Sequence, residues 1–300
     1  MPMTRILVTG ADGQIGRAVT DHLVRSGFGV TALSLEFAGP TSADRVEIGD
    51  ARSPEVVSRA AEGADAIVHL AAIPHPSLGT PREVFTSNIT STFTVLAEAG
   101  ERGIHRVVLA SSINAFGVPM NPHNVMPAYF PIDEDIPTDI ADAYSLSKLA
   151  DENSARMAHR GWGTTVVSLR FPFVGSPDSL LARKRRSDAD PASNAREGWS
   201  YLDLRDAARV VHAALKASVE GAVVVGVSAE DPLVGRSTAD LLSEFAPGIP
   251  VRRRIGPRES LIDTTRARTL LGFTPRYSIH RPDHDNDTTV QAVDRGALSA

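Results

Sequence analysis

The chain has 300 residues, 42% of them hydrophobic, which suits one large or two small globular units. It lacks cysteine, which excludes disulfides, thiol nucleophiles and cysteine-based zinc sites, and no apolar run nears the ~20 residues that span a bilayer. Its 31 basic and 36 acidic residues leave a net charge of −5, which argues against a general nucleic-acid binder.

The first strand is read at 4–9 and starts too early to follow a cleaved signal peptide, so a cytoplasmic protein without a membrane partner is expected. Three glycines then lead into a helical pattern over 14–26. Gly10 would allow a tight turn, Gly13 would let backbone approach a pyrophosphate, and Gly16 would let the helix pack closely on the strand. The amides of Gln14, Ile15 and Gly16 would then face the phosphates. A glycine triplet alone is weak, but a strand before it and a helix after it are the context that confirms it. Dinucleotide binding is the stronger reading.

Further strands are read at 29–34, 45–48, 66–70, 106–110 and 164–169, with helices between them at 54–61, 81–101 and 143–160. The strands are apolar on both faces, as a covered parallel sheet requires. This order predicts an α/β fold, a doubly wound parallel sheet of the Rossmann type with a small C-terminal α/β substrate cap. The dinucleotide-binding unit is expected over 1–174, with 200–228 returning to it through a helix opening at Tyr201 and a strand at 222–227. Residues 175–198 read as polar and irregular, and the basic run Arg183-Lys-Arg-Arg186 as a solvated loop. The cap is assigned to 175–199 and 229–278, with helices near 237–245 and 264–271. A loosely held polar tail fills 279–300.

Tyr144 and Lys148 stand four apart on a predicted helix and therefore share a face. A lysine ammonium beside a tyrosine favours phenolate and lowers its pKa from ~10 toward a useful range. Ser112 follows the strand at 106–110, on the sheet edge that carries the glycine turn. Its hydroxyl could hold a substrate oxygen while Tyr144 moves that oxygen's proton, with hydride passing between substrate and cofactor. Either signal alone reads as an exposed pair or a loop cap. Together, after a dinucleotide turn, they read as catalytic.

Thr9-Gly10-x-x-Gly13-x-x-Gly16, His69-Leu-Ala-Ala72, Asn88, Ser111-Ser112 and Tyr144-x-x-x-Lys148 resemble the extended short-chain dehydrogenase/reductase superfamily, in its NAD-dependent epimerase/dehydratase branch. The resemblance runs from about residue 4 to 278. It implies Tyr144 as acid/base, Ser112 as substrate-oxygen partner, and Lys148 as ligand of the nicotinamide ribose. It also implies Asp50 and Ala51 beside adenine, and Leu70, Ala71, Ala72 and Ala110 along the cofactor cleft. Asn88 would support the active-site helix and Phe171 would flank nicotinamide. A homodimer through the helices at 81–101 and 143–160 is expected, closed two-fold dimers being the commonest oligomers.

The departures from that pattern carry information too. Ser34 stands where an acid usually grips the adenine ribose, and Glu36 could serve instead. No arginine follows at once, so NAD is favoured and NADP left open. The serine motif lacks the acidic pair of 4,6-dehydratases, and Pro172 and Phe173 occupy a segment where many nucleotide-sugar epimerases have an asparagine. Arg252-Arg-Arg254 pulls the other way, since a bidentate arginine suits a diphosphate. Ser111, Ser112, Asn114, Phe173, Arg254 and, beyond the cofactor strand, His75 form the expected substrate set. His69 reads as structural, and His280 with His284 as a tail rather than a metal cage. The expected activity interconverts a secondary alcohol and a ketone on a sugar, sugar acid or related polyol, with a dehydrogenase favoured. A nucleotide-sugar epimerase and a non-catalytic dinucleotide-binding regulator are the alternatives.

Overall fold

The computed structural model describes residues 4–281. Seven strands form one sheet, β1 (Arg5–Thr9), β2 (Gly29–Ser34), β3 (Arg45–Ile48), β4 (Ala66–His69), β5 (Arg106–Ser112), β6 (Thr165–Phe171) and β9 (Ala222–Gly226). Their order is β3-β2-β1-β4-β5-β6-β9, and every neighbouring pair is parallel. A smaller parallel pair joins β7 (Phe173–Gly175) to β8 (Tyr201–Asp203).

Alternation along the strands builds two cores. Ile6 and Val8 face one side, where they meet α1 (Gln14–Arg25) and α6 (Leu204–Lys216) through Val19, Leu23, Val210 and Val211. Leu7 faces the other, against α2 (Pro54–Ala60), α3 (Pro81–Glu101) and α4 (Ala143–Trp162) through Val57, Val95, Leu96 and Ala155. Both faces are covered, which is why β4 and β6 are buried along their whole length and β1 everywhere but Arg5.

Helix starts follow local chemistry. Thr80 and Glu83 form a reciprocal capping box with Pro81 at the first position of α3. The Asp142 carboxylate accepts the Ser145 amide at 2.8 Å and starts α4, which Gly163 ends at φ 73°.

Two expectations are corrected beyond β6. The supposedly irregular stretch at 175–198 holds a helix, α5 (Pro177–Ala189), and a 3-10 helix over Pro191–Glu197. Few apolar residues mark α5, because Leu180 is one of only two of its side chains that are buried. Its basic run is therefore helical surface rather than loop. Tyr201 opens β8, not a helix, and α6 begins only where Asp203 caps the Arg205 amide at 2.8 Å.

A third apolar cluster gathers Ile113, Phe116, Phe130, Trp199, Leu241 and Leu261, joining the 113–136 stretch to α7 (Thr238–Phe245) and its surroundings. The chain then passes through α8 (Thr265–Leu271), which packs on α6 and β9. Of the expected tail, Ile279 packs by Tyr201 and Leu180, and the His280 ring meets the Pro232 carbonyl at 2.9 Å. Residues 282–300, including His284, lie outside the described residues. Among the described residues no helix is long and apolar enough to cross a membrane.

Candidate active site

A cleft of about 860 Å³ opens at the carboxyl ends of β1, β2, β4, β5 and β6. At its floor Gly10 has φ +65°, and a Cβ there would lie 2.7 Å from the Ala71 nitrogen. At Gly16 a Cβ would strike the Gly10 carbonyl oxygen, so the turn and the helix start touch backbone to backbone. Gly13, Gln14, Ile15 and Gly16 all line the cleft. No side chain caps α1, which leaves its first amides for a ligand. This cradle fits the pyrophosphate of a dinucleotide.

Toward the edge of the sheet the cleft is lined by Ser34, Asp50, Ala51 and Leu70 to Ala72. Glu36 is not among its lining residues. Leu35 still lines the cleft, and Glu36 after it is exposed and outside the lining. Sequence reasoning missed Arg52, which does line the cleft. Its Nε lies 3.0 and 2.8 Å from the Asp50 oxygens and holds that carboxyl below the usual range by hydrogen bonding. An arginine two residues after the acid was the available signal.

Tyr144, Lys148 and Ser112 converge on the middle of the cleft, with Ala110 and Phe171 beside them. Tyr144 sits in the first turn of α4 and is 7% exposed. Lys148 Nζ lies 5.9 Å from the Tyr144 ring centre and donates to the Ala110 carbonyl at 2.9 Å. Ser112 Oγ accepts from the Asn114 amide at 3.1 Å and from Asn114 Nδ2 at 3.0 Å. With its lone pairs so engaged, the Ser112 proton is left to donate outward. Asn114 Oδ1 is buried without a partner, an acceptor suited to a ligand hydroxyl.

Ser111 lines the cleft, but its hydroxyl donates inward to Glu152 Oε1 at 2.7 Å. Glu152 in turn binds Arg170 at 2.8 and 2.9 Å, tying α4 to β6. Asn88 is absent from the lining. Its Oδ1 accepts from Ile73 N at 2.7 Å, and its Nδ2 donates to Ser147 Oγ at 3.1 Å, so it braces the cleft wall against α4. His69 is buried between Thr9 Oγ1 at 2.7 Å and Thr92 Oγ1 at 3.2 Å. Burial pushes it down to about 3, so it is neutral.

On the substrate side, His75 and Phe173 line the cleft as expected. Arg254 does not, because the 252–254 run is exposed elsewhere: Arg252 stacks on Tyr129 and Arg253 pairs with Glu259 at 2.6 Å. The arginines that do reach the cleft are Arg183 and Arg196, with Asn194 and Glu197. Arg183 lies 4.3 Å over the Phe173 ring and binds Glu197 at 2.6 Å. Arg196 donates to the Asn121 carbonyl at 2.6 Å, and among the described residues no carboxylate pairs with it. Among the described residues no group of three or more His, Asp or Glu side chains is placed to hold a metal.

A parallel sheet ending in an anion cradle, with serine, tyrosine and lysine meeting beside it, is the architecture of a short-chain dehydrogenase/reductase. Residues 6–226 match the model of the NAD dependent epimerase/dehydratase family. The chain belongs to that family, and it is an enzyme of the oxidoreductase and epimerase type. It is 23% identical over 313 residues to the UDP-glucose 4-epimerase of Corynebacterium glutamicum, covering 91% of this chain and 92% of that protein. The UDP-glucose 4-epimerase of Azospirillum brasilense is 31% identical over 183 residues, a match spanning 58% of this chain but only 50% of that protein. The uronate dehydrogenase of Pseudomonas syringae pv. tomato is 28% identical over 231 residues, covering 76% of this chain and 75% of that protein. A short-chain dehydrogenase/reductase superfamily protein of Agrobacterium tumefaciens, solved with bound NAD, shares the fold at a TM-score of 0.69 and 24% identity, covering 92% of this chain and 93% of that one.

Proposed function

We propose that the protein is an NAD-dependent dehydrogenase of a sugar acid or similar small polyol carrying an anionic group. The convergence of Ser112, Tyr144 and Lys148 in one cleft with the glycine turn carries this reading. The dinucleotide, when bound, accepts or supplies hydride. Tyr144 takes the proton of the substrate hydroxyl, Ser112 donates a hydrogen bond to the same oxygen, and Lys148 steadies the tyrosine and the ribose. A regulator that only binds the dinucleotide has no use for that set. The segments 175–199 and 229–278 are assigned to the substrate side, and the cytoplasm, which supplies the dinucleotide, is the expected place of action.

Arg196 supports the anionic substrate. A half-buried guanidinium with only a carbonyl partner is a charge without its counterion. Screening sugars and sugar acids for absorbance at the reduced-nicotinamide band, with NAD and NADP in parallel, tests the activity. Net reduction by an acid, with KM raised about tenfold or more in Arg196→Ala, is the expected result. Net reduction by neutral sugars alone would refute the acid. Interconversion of nucleotide-sugars without net reduction would favour an epimerase, the activity that several relatives are named for.

The homodimer belongs to the same proposal. The helices α3 and α4 pack side by side and leave Phe93, Leu146 and Met157 exposed, apolar surface that a second copy would cover. Light scattering at micromolar concentration is expected to give twice the chain mass, and a monomer alone would refute it.

A further inference from the structure

The chain has three lysines, and of these only Lys148 is buried. A buried ammonium tends to shed its proton, because the charged form loses its water. Lys148 nevertheless has to stay charged to act on Tyr144. Its Nζ has two polar partners, the Ala110 carbonyl at 2.9 Å and Asp151 Oδ2 at 3.2 Å. Only the second supplies opposite charge. Asp151 lies three residues further along α4, is 3% exposed and does not line the cleft, and the reaction described above leaves it unused.

The charges and donors around this carboxyl oppose its burial without cancelling it, so it lies above the ordinary aspartate range. Burial raises it, and Lys148 and then Thr92 pull it back. Its Oδ1 makes no hydrogen bond of its own, so Lys148 is its principal partner. Thr92 ends a directed chain. The Ala71 amide donates to Thr9 Oγ1 at 3.3 Å, which leaves the Thr9 proton for His69 Nδ1. Neutral His69 then donates from Nε2 to Thr92, whose own proton remains for the carboxylate.

Few other charges compete. Glu152 on α4 is committed to Arg170 of β6, His69 of β4 is neutral, and β5 and α3 offer only the Ala110 carbonyl and Thr92. Tyr144 completes the set. Burial, the largest single effect, lowers Lys148, but the charges of Asp151, Tyr144 and Glu152 together, with Asp151 the strongest of them, leave the group above the ordinary lysine range.

We propose that Asp151 is a positioning residue that keeps Lys148 charged and seated beside Tyr144. This rests on the roles given to Tyr144 and Lys148 above. Because the chain has three lysines, carbon-13 lysine labelling of the full protein gives three side-chain signals, and Lys148→Met identifies one of them. In the unmodified protein the Lys148 signal is expected to titrate above the ~10.4 of free lysine. In Asp151→Asn it is expected to fall by about one pH unit or more, a tenfold change in the ammonium-to-amine ratio. The alkaline limb of kcat/KM should move down with it, a shift that a loss of packing would not produce.

An unmoved Lys148 signal in Asp151→Asn would overturn the proposal. So would titration of Lys148 below free lysine in the unmodified protein, a measurement that needs no folded variant. Turnover surviving in Tyr144→Phe would instead remove the reading of the site. Loss of turnover there, with an unshifted Asp151→Asn, would remove only the role of Asp151.

Discussion

Replacing Tyr144 with phenylalanine is expected to cut turnover about 100- to 10,000-fold while leaving dinucleotide affinity within a few-fold. The range is that of a positioned proton-transfer group. Phenylalanine keeps the ring that packs in the first turn of α4 and removes only the hydroxyl, so the fold and the cradle at Gly10, Gly13 and Gly16 stay intact. Lys148 remains on the Ala110 carbonyl, and Ser112 keeps its two bonds from Asn114. What is lost is the group that exchanges a proton with the substrate oxygen. Steady-state kinetics beside a direct binding titration of the dinucleotide separate the two effects. Undiminished turnover would sink the mechanism, and a parallel loss of dinucleotide affinity would point to a binding role.

Replacing Glu152 with alanine is expected to cost about 3–5 kcal/mol of folding stability, the usual range when one partner of a buried ion pair is removed. The Glu152 side chain is wholly buried, and both its oxygens meet Arg170, at 2.8 and 2.9 Å. It also accepts the Ser111 hydroxyl. Alanine leaves a guanidinium stranded in the interior, with the Glu134 carbonyl at 3.2 Å as its remaining polar contact. The loss would fall where α4, β5 and β6 meet, under the residues that hold Ser112. Urea unfolding of the two proteins measures it. A difference below about 1 kcal/mol would show that water or neighbouring groups take over the charge.

The parts of this molecule governed by short-range rules were legible in the sequence. The parallel strands are apolar runs bounded by helix signals, and their ends lie within two residues of the reading. The glycine turn and the Tyr144/Lys148 spacing were readable because each needs only its own few residues. Glu36 and Arg254 lie away from the cleft lining for a different reason. Whether a side chain enters a cleft depends on the course of the chain beyond an element, which leaves no mark in composition. Arg183 and Arg196 were hidden because their segment was read as loop. Ser176 caps α5 and Pro177 opens it, signals passed over because the helix carries so weak an apolar pattern. The inward role of Ser111 and the Lys148–Asp151 pair depend on facing elements, which a single sequence does not supply.

The pairing of β7 with β8 sets Val174 opposite Leu202. Residues 176–200 therefore leave and rejoin the body of the molecule at adjacent points, carrying Arg183, Asn194, Arg196 and Glu197 with them. An excursion anchored this way can change at its cleft-facing positions without moving β6 or α6, provided Leu180, Ala195 and Trp199 keep their places in the apolar clusters. For grafting a new specificity onto this scaffold, the two short strands mark the splice points, and Tyr144 and Lys148 on α4 can be left untouched.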